Sequence, residues 1–496
     1  MNKDLAQSAE GAVTPGARLT QLGAARPHEI AVIFERAESA AETLTWLELE
    51  HWANRLAHRL AALHITPGAF VVINVPNGLE HIVATLASYK LGGCPMPISY
   101  RMPSAERDAM MVLAAPKAVI SDASELGGIT RAEMRQLERF PTSPPPDAIP
   151  QPFKAVGSGG STGKPKLIVA PGAFCFPPAS HPFAIVLGMA DGDRLYSPGP
   201  LYHNQAFLFS QVALFTGASV VIDERFDAER ALAAIERHRP TILNVVPTMM
   251  LRMARAPSFP YADLSSIRAL WHMAAPCADW VKRTWMERLG AARVCEMWSA
   301  TEVTGATTIN GEEWLRRPGS VGRGYQTEIR ILDAERRPLP AGQVGEIYTR
   351  FNGGPPQYFY LGAAPLDMID DGFASVGDLG YLDADGYLFL ADRRTDLIIS
   401  GGANIFPAEV EALLTQFEGV RDAAVIGLKD EDLGRRVHAL VEPSPGVKLY
   451  PAALDAHLRK YLTRYKVPRT YEIVEHLPRD EAGKIRRSKL RDERGG

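Results

Sequence analysis

The chain has 496 residues, of which 46% are hydrophobic and 22% charged, and 54 Lys and Arg against 57 Asp and Glu give a formal net charge of −3. On a scale of roughly 100–200 residues per domain, this length predicts about two to four globular domains with ample core. The near-neutral charge excludes the electrostatic footprint of a protein that binds nucleic acid or an anionic membrane. We therefore expect neither nucleic acid nor a membrane among the partners.

The cysteines and the N-terminus indicate a reducing environment. The four cysteines are far apart and form no Cys-x-x-Cys pair, which argues against a disulfide framework or a zinc module. The first thirty residues contain Asp4, Glu10 and Glu29 and no apolar run, so we expect no secretory signal. The most apolar long stretch, 206–222, is interrupted by polar residues and falls short of the ~20 apolar residues that a membrane helix needs. A cytoplasmic protein is the expectation.

Strand and helix signals alternate along the N-terminal part. Thr45 and Glu48 form a capping box ahead of a helix whose apolar residues recur at helical spacing. The next predicted elements are a buried strand at 70–75, a helix at 80–91, strands at 118–120 and 219–223, and a helix at 227–238. This alternation favours an α/β fold in which helices wrap mostly parallel sheets.

Six of the twelve residues from 141 to 152 are proline, which predicts an extended segment. The segment is compatible with a domain linker and equally with a surface connection that leads into an active loop.

The last hundred residues predict a small α+β unit. A helix begins at Pro407, strands are expected at 423–428, 437–441 and 472–474, and a helix over about 451–465 would bury Tyr461 beside three leucines. We place the boundary after residue 394, which gives a large domain of residues 1–394 and a small one of residues 395–496.

The glycine-rich segment 157–166 contains the highest density of groups that could bind an anion. Its glycines allow backbone N–H groups to converge on an anion, while hydroxyls and two lysines add donors and charge. A phosphate-binding loop is the favoured interpretation. The Walker A pattern fails at Ser158 and Pro165. A hydrolase nucleophile elbow centred on Ser161 and a turn without a ligand are the alternatives.

Motifs placed in order along residues 158–487 resemble those of the adenylate-forming superfamily, which includes acyl- and aryl-CoA synthetases, adenylation domains of peptide synthetases, and luciferases. The matching segments are 158–166, 298–302, 319–323, 376–380, 392–396, 400–411, 465–468 and 478–486. The resemblance implies a large ATP- and acyl-binding domain followed by a small mobile domain. It also implies a reaction in which a carboxylate and MgATP give acyl-AMP and pyrophosphate, after which coenzyme A takes the acyl group. Because the first step brings two anions together, catalysis would depend on positioning and positive charge.

The resemblance implies roles for individual residues, carried over by position. The nucleotide would be bound by Ser158, Gly159, Ser161, Thr162, Gly163, Lys164, Lys166, Ala275, Pro276, Trp298, Ser299, Asp378 and Arg393. In that set the loop would hold the β- and γ-phosphates, Trp298 would stack on adenine, and Asp378 with Arg393 would hold the ribose. The residues implied for catalysis are Thr301 at the α-phosphate, Glu302 as the Mg²⁺ ligand, Lys484 bridging the carboxylate and the α-phosphate, and His203 beside the carboxylate.

The small domain would turn about a hinge at Thr395, and Ser400, Gly401 and Gly402 would line the coenzyme A tunnel. Leu167, Ser299 and the 274–276 segment depart from the family pattern at positions that we interpret as subfamily variation. A homodimer is compatible with the sequence.

Phe207, Met249, Trp271 and His272 are candidates for the wall of the acyl pocket by their family positions. No Arg or Lys in this neighbourhood of the sequence would pair with a second carboxylate, so a hydrophobic monocarboxylic acid is predicted, whether aromatic, fatty or a bulky steroid- or terpenoid-type acid. For His203, a structural role as a buried histidine is the alternative.

A free-standing acid–CoA ligase is the leading hypothesis. The two alternatives are an adenylating enzyme that loads an external acyl carrier protein and a nucleotide-binding sensor with degenerate chemistry. The presence of Lys484, Glu302 and Asp378 disfavours the sensor.

Overall fold

The computed structural model describes residues 11–159, 165–351, 354, 358–393, 396–400, 403–480 and 484–495. Its first part alternates strands and helices as the sequence predicts, and Thr45 and Glu48 form the expected reciprocal capping box. The elements are α1 Pro15–Ala25, β1 Ile30–Glu35, β2 Glu42–Thr45, α2 Trp46–Ala61, β3 Phe70–Asn74, α3 Leu79–Lys90, β4 Cys94–Pro97, α4 Ser104–Ala114, β5 Ala118–Ser121 and α5 Arg131–Met134. Strands β4, β3 and β5 form a separate parallel sheet.

The proline-rich segment 141–152 contains no regular element and packs on the N-terminal helices. The Thr14 hydroxyl donates to Asp147 Oδ1 over 2.6 Å, and the Asn54 amide donates to the Thr142 carbonyl over 2.7 Å. Of the two interpretations that the sequence leaves open, these contacts support the surface connection.

The central part supplies the parallel strands of the largest sheet. Its elements are β6 Lys154–Gly159, β7 Pro165–Ala170, α6 Pro182–Leu187, β8 Arg194–Ser197, α7 Asn204–Thr216, β9 Ser219–Asp223, α8 Ala228–His238, β10 Ile242–Val245, α9 Pro247–Ala254, β11 Ala269–His272, α10 Asp279–Leu289 and β12 Val294–Ser299. Parallel pairing runs in the spatial order β12–β11–β10–β8–β9–β1. The predicted α/β class is therefore confirmed.

Antiparallel strands extend the same sheet beyond β12, a continuation that the sequence did not predict. They and their helix are β13 Ala306–Asn310, α11 Gly311–Arg316, β14 Ser320–Gly324, β15 Thr327–Leu332, β16 Gly345–Phe351, β17 Phe359–Leu361, β18 Asp367–Met368, β19 Ala374–Ser375, β20 Asp378–Leu382 and β21 Leu388–Arg393. Strand β17 instead joins the β6–β7 hairpin by pairing with β7.

The C-terminal part is the predicted α+β unit. It comprises β22 Ile398–Ser400, β23 Ala403–Ile405, α12 Pro407–Leu414, β24 Val420–Asp430, β25 Gly434–Pro443, α13 Pro451–Leu458, β26 Thr470–Ile473 and α14 Arg487–Asp492. The helix expected over 451–465 ends at Leu458, and turns follow it. Tyr461, which we expected to be buried, is therefore 61% exposed. The proposed boundary at 394–395 lies outside the described residues and stays a prediction.

Among the described residues, no helix has both the length and the apolar character needed to cross a bilayer. The apolar stretch at 206–222 instead contributes to α7 and β9, and its residues are buried in the core.

Candidate functional site

A large cavity opens at the carboxyl ends of the parallel strands. Its volume is about 1390 Å³, and Ser197, Val245, Met273 and Ser299 line it where β8, β10, β11 and β12 end. This edge of an open α/β sheet is where ligands bind, because the loops that leave the strands diverge there. The C-terminal segment around Lys484 also lines the cavity. Both parts of the chain therefore contribute to one site.

The predicted phosphate loop connects the antiparallel strands β6 and β7. Ser158 pairs with Lys166 and Gly159 with Pro165, while Ser161, Thr162, Gly163 and Lys164 lie outside the described residues. A nucleophile elbow requires a helix directly after its serine. Because strand β7 follows this loop, the elbow interpretation is wrong.

Lys166 reaches the cavity beside the residues implied for the α-phosphate and the metal. Its Nζ lies 3.5 Å from Glu302 Oε1 and 3.8 Å from the centre of the Tyr360 ring. The Tyr360 hydroxyl donates to the same Glu302 oxygen over 2.5 Å. Burial and the Glu302 carboxylate both raise the pKa of Tyr360 well above its usual value, so this hydroxyl stays a donor. Thr301 lines the cavity next to Glu302.

Glu302 has the chemistry of a magnesium ligand. Its carboxylate is largely buried, and Glu302 lines the cavity. Carboxylate oxygen is the donor that Mg²⁺ prefers, and Mg²⁺ is commonly held by one or two carboxylates together with substrate phosphates. A cluster of three or more His, Cys, Asp or Glu that could hold a metal is absent from the described part of the chain. Glu302 therefore has the donor chemistry that a magnesium ion arriving with a nucleotide would need.

A fully buried lysine, which the sequence analysis missed, lies behind this group. Lys154 begins β6 and donates to Asn204 Oδ1, at the first residue of α7. Burial lowers the pKa of Lys154 to about 7, while the nearby Glu302 carboxylate acts in the opposite direction. A lysine directly before the apolar residues Ala155 and Val156 of a strand was the available signal.

The residues implied for adenine and ribose lie together. Trp298 Nε1 donates to Asp378 Oδ2 over 3.0 Å, and the backbone of Asp378 pairs with that of Arg393 across β20 and β21. Their neighbours Ser299 and Gly377 line the cavity. Trp298 and Asp378 thus sit at its margin.

The 274–276 segment follows β11. Ala274 lines the cavity with a φ of 74°, whereas Ala275 and Pro276 are not among the described lining residues. A positive φ is the conformation that glycine adopts without strain, which explains why glycine is usual at this position of the family pattern.

His203 and Lys484 both line the cavity. Burial lowers the pKa of His203 to about 4, with Asp480 raising it and Lys484 lowering it. His203 is therefore neutral at pH 7, and its Nε2 has no hydrogen-bond partner among the described residues. The Lys484 backbone N–H donates to Asp480 Oδ1 over 2.8 Å, and the Asp480 N–H donates to the Lys484 carbonyl over 2.8 Å. This turn places the predicted adenylation lysine near His203.

Of the four residues that the sequence predicts for the wall of the acyl pocket, one lines the cavity and three do not. Met249 lines the cavity, but Phe207, Trp271 and His272 do not, since all three are buried in the core. Residues three and four apart share a face of a helix, so Gln205, Leu208 and Phe209 of α7 face the cavity. Phe207 instead faces His81 at a ring distance of 6.5 Å.

Trp271 and His272 point to opposite faces of β11, as successive strand residues do. Trp271 Nε1 donates to the Leu187 carbonyl, and His272 lies 4.0 Å from Glu296. Met273, directly after the strand, reaches the cavity in their place. The apolar side chains that line the cavity include Phe183, Leu208, Phe209, Val246, Met249, Met273 and Met297.

The remaining site predictions are only partly covered by the structure. Ser400 is buried at the end of β22, while Gly401, Gly402 and Thr395 lie outside the described residues. The roles of these residues in coenzyme A binding and in domain rotation stay predictions. The small domain contacts the large one through Arg255, which donates to the Thr415 and Arg421 carbonyls over 2.9 and 2.8 Å.

Comparisons with known proteins find matches along most of the chain. The family model for AMP-binding enzymes matches residues 19–359, and the model for their C-terminal domain matches residues 409–484. A feruloyl-CoA synthase from an Amycolatopsis species is 30% identical, over 94% of this chain and 96% of its own. A 2-succinylbenzoate–CoA ligase from Bacillus licheniformis is 29% identical, over 90% and 94%. The solved structure of o-succinylbenzoate CoA synthetase from Bacillus subtilis, in complex with its acyl-adenylate intermediate, is similar with a TM-score of 0.80 at 26% identity, covering 98% of this chain and 99% of that one.

Proposed function

The chain belongs to the family of AMP-binding enzymes and is an acid–CoA ligase, and we propose that its acid is a hydrophobic monocarboxylic acid. A carboxylate oxygen of the acid attacks the α-phosphorus of ATP, the bond to the β-phosphate oxygen breaks, and pyrophosphate leaves. The thiol of coenzyme A then attacks the acyl carbon of acyl-AMP, and AMP leaves. The observation that carries the proposal is that Lys484, His203 and Glu302 line the same cavity as an apolar chamber.

The charges around the cavity suit the first step. Lys484 brings a compact positive charge near His203. There it would offset the repulsion between the carboxylate of the acid and the α-phosphate of ATP. Such a charge stabilises a transition state most where water is excluded. His203 is neutral at pH 7 because burial lowers its pKa to about 4, so it would bind the acid as an uncharged hydrogen-bond donor. Thr301 would orient the α-phosphate.

Magnesium fits the same arrangement. Glu302 would hold the ion, and Lys166 and the predicted loop would hold the β- and γ-phosphates. When bound, Mg²⁺ would neutralise part of the charge on the phosphates. The Tyr360 hydroxyl and Lys166, which both contact the Glu302 carboxylate, would keep that carboxylate oriented before the nucleotide enters.

The chamber supports the choice of acid. Its apolar walls would stabilise an aromatic ring, a fatty chain or a polycyclic skeleton through burial of apolar surface, at roughly 25 cal/mol per Å². Ser197, Asn244 and Gln205 give it one polar side, where Gln205 Nε2 donates to Asn244 Oδ1 over 2.6 Å. These side chains are uncharged, so they would not neutralise a second carboxylate.

The test is ATP–pyrophosphate exchange with benzoate, ferulate, octanoate and cholate, each with and without coenzyme A. We expect exchange with one of these hydrophobic acids and a thioester when coenzyme A is added. Exchange that yields thioester only with a pantetheine-loaded carrier protein would favour the carrier-loading alternative. Exchange only with dicarboxylic acids, run as a control series, would contradict the proposed acid. The absence of any acid-dependent exchange would contradict the activity itself.

A further inference from the structure

The buried Lys154 contacts the acid-binding end of the cavity through Asn204, and this contact has a consequence for the orientation of the Asn204 amide. Lys154 has no exposed surface, and its Nζ donates to Asn204 Oδ1. The rings of Phe153 and Tyr358 lie 5.5 and 5.9 Å from the same nitrogen. A buried lysine is costly unless partners of this kind compensate for its lost hydration.

The chemistry of lysine fixes which way the amide points. In the structure Lys154 Nζ faces the carbonyl oxygen Oδ1 of Asn204, and the protonated lysine favours this orientation because an ammonium group has donors only. The amide nitrogen Nδ2 therefore lies on the other side of the side chain. Asn204 is half-buried and lines the cavity.

The position of Asn204 identifies what Nδ2 would meet. Asn204 directly follows His203, which lies near Lys484. Under the proposed function, on which this step rests, the carboxylate of the acid is bound at that point. A carboxylate accepts hydrogen bonds and donates none, so an amide presented by its NH₂ group is complementary to it.

We propose that Lys154 is a positioning residue that holds the Asn204 amide with its NH₂ group towards the cavity, where it donates a hydrogen bond to a carboxylate oxygen of the acid. Lys154 itself does not line the cavity among the described residues and acts only through Asn204. The pair therefore recognises the carboxylate group of the acid. It does not distinguish acids by the rest of their structure, which the apolar walls contact.

A double-mutant cycle tests the proposal. Lys154→Met keeps the length of the side chain and removes the donor, and Asn204→Ala removes the amide. We expect each single variant to lower kcat/KM for the panel acid that the wild type uses fastest by about tenfold, with KM for ATP unchanged. Because both changes remove one interaction, the double variant should also lose about tenfold. A loss of about a hundredfold in the double variant would show independent effects and overturn the proposal.

Two further variants separate positioning from folding. Asn204→Asp keeps an oxygen for Lys154 but replaces the NH₂ group by a second carboxylate oxygen, so it should impair use of the acid more than Asn204→Ala does while Tm is retained. Lys282→Met is the matched control, because Lys282 is a buried lysine paired with Glu296 that does not line the cavity among the described residues. It should lower Tm without changing kcat/KM for the acid.

The outcomes distinguish this inference from the proposed function. A wild type that shows no acid-dependent exchange would contradict the proposed function. A wild type that is active, together with a Lys154→Met variant that keeps full kcat/KM for the acid, would contradict only the role of Lys154.

Discussion

Trp298 donates its indole N–H to Asp378 over 3.0 Å, which joins the residue implied for adenine stacking to the residue implied for the ribose. The two lie 80 positions apart, on β12 and at the start of β20. A hydrogen bond to a carboxylate fixes its orientation, so the Asp378 carboxylate is held by the tryptophan before a nucleotide binds. Tyrosine, which the family has more often at position 298, carries no indole N–H group.

The first prediction concerns this hydrogen bond. Trp298→Phe keeps an aromatic face for adenine but removes the donor, and we expect KM for ATP to rise about threefold to tenfold while KM for the acid is unchanged. Steady-state kinetics with each substrate varied in turn measures both constants. Trp52→Phe is the control, because Trp52 Nε1 also donates a hydrogen bond, to the Met134 carbonyl, far along the chain from the site residues. Equal KM values for ATP in Trp298→Phe and the wild type would show that the contact does not help nucleotide binding.

The second prediction separates the two half-reactions. If Lys484 supplies its charge only during adenylation, Lys484→Ala should lower the rate of acyl-AMP formation by about 10²–10³-fold and leave the conversion of supplied acyl-AMP to thioester nearly unchanged. Pyrophosphate exchange and single-turnover thioester formation measure the two steps. Lys460→Ala, an exposed lysine of the same domain, should affect neither. Equal losses in both steps would exclude the assignment.

Local signals account for the part of the fold and site that the sequence predicted. The capping box at Thr45 and the alternation of strands and helices are each determined by neighbouring residues. Such signals do not report which distant strands pair. The contact of Tyr360 with Glu302 depends on the pairing of β17 with β7, and this pairing was not predicted.

The errors among the residues predicted for the pocket wall have the same origin. Phe207, Trp271 and His272 are residues that suit either a core or a pocket wall, and only the packing of α7 and β11 decides which side each one faces. Lys154 was missed because a single lysine beside Phe153 is typical of the exposed face of a strand. Its burial follows from the approach of α7, which brings Asn204 to it from 50 positions away.

The third prediction is a pH dependence of stability. Burial raises the pKa of Asp223 to about 7, although the Tyr196 hydroxyl, which donates to it over 2.8 Å, acts in the opposite direction. The folded state therefore binds this proton more tightly than the unfolded state, whose aspartate has a pKa of about 3.9. The stabilisation from Asp223 is complete below pH ~4 and is lost as the pH rises towards and through 7.

Asp223→Asn removes that titration. We expect the stability of the variant relative to the wild type to increase by about 2 kcal/mol between pH 5 and pH 8, measured by denaturant unfolding at both pH values. Glu138→Gln, a change at an exposed carboxylate, serves as the control and should show no such trend. A difference between Asp223→Asn and the wild type that is the same at both pH values would contradict the shifted pKa.

The last prediction concerns acid selectivity and uses two adjacent methionines of α9. Met249 lines the cavity where we propose that the acid binds, whereas Met250 is fully buried in the core and is not among the described lining residues. Met249→Ala removes part of the wall, so the chamber gains space where the acid lies. Met250→Ala leaves a cavity in the core and should cost about 2–5 kcal/mol of stability without altering the chamber.

We expect Met249→Ala to change the ratio of kcat/KM for cholate over benzoate by about tenfold in favour of the bulkier acid. Met250→Ala should leave this ratio unchanged while Tm falls. If both variants shift the ratio equally, loosening of the core alone accounts for the effect. Met249 would then not lie in the part of the site that binds the acid.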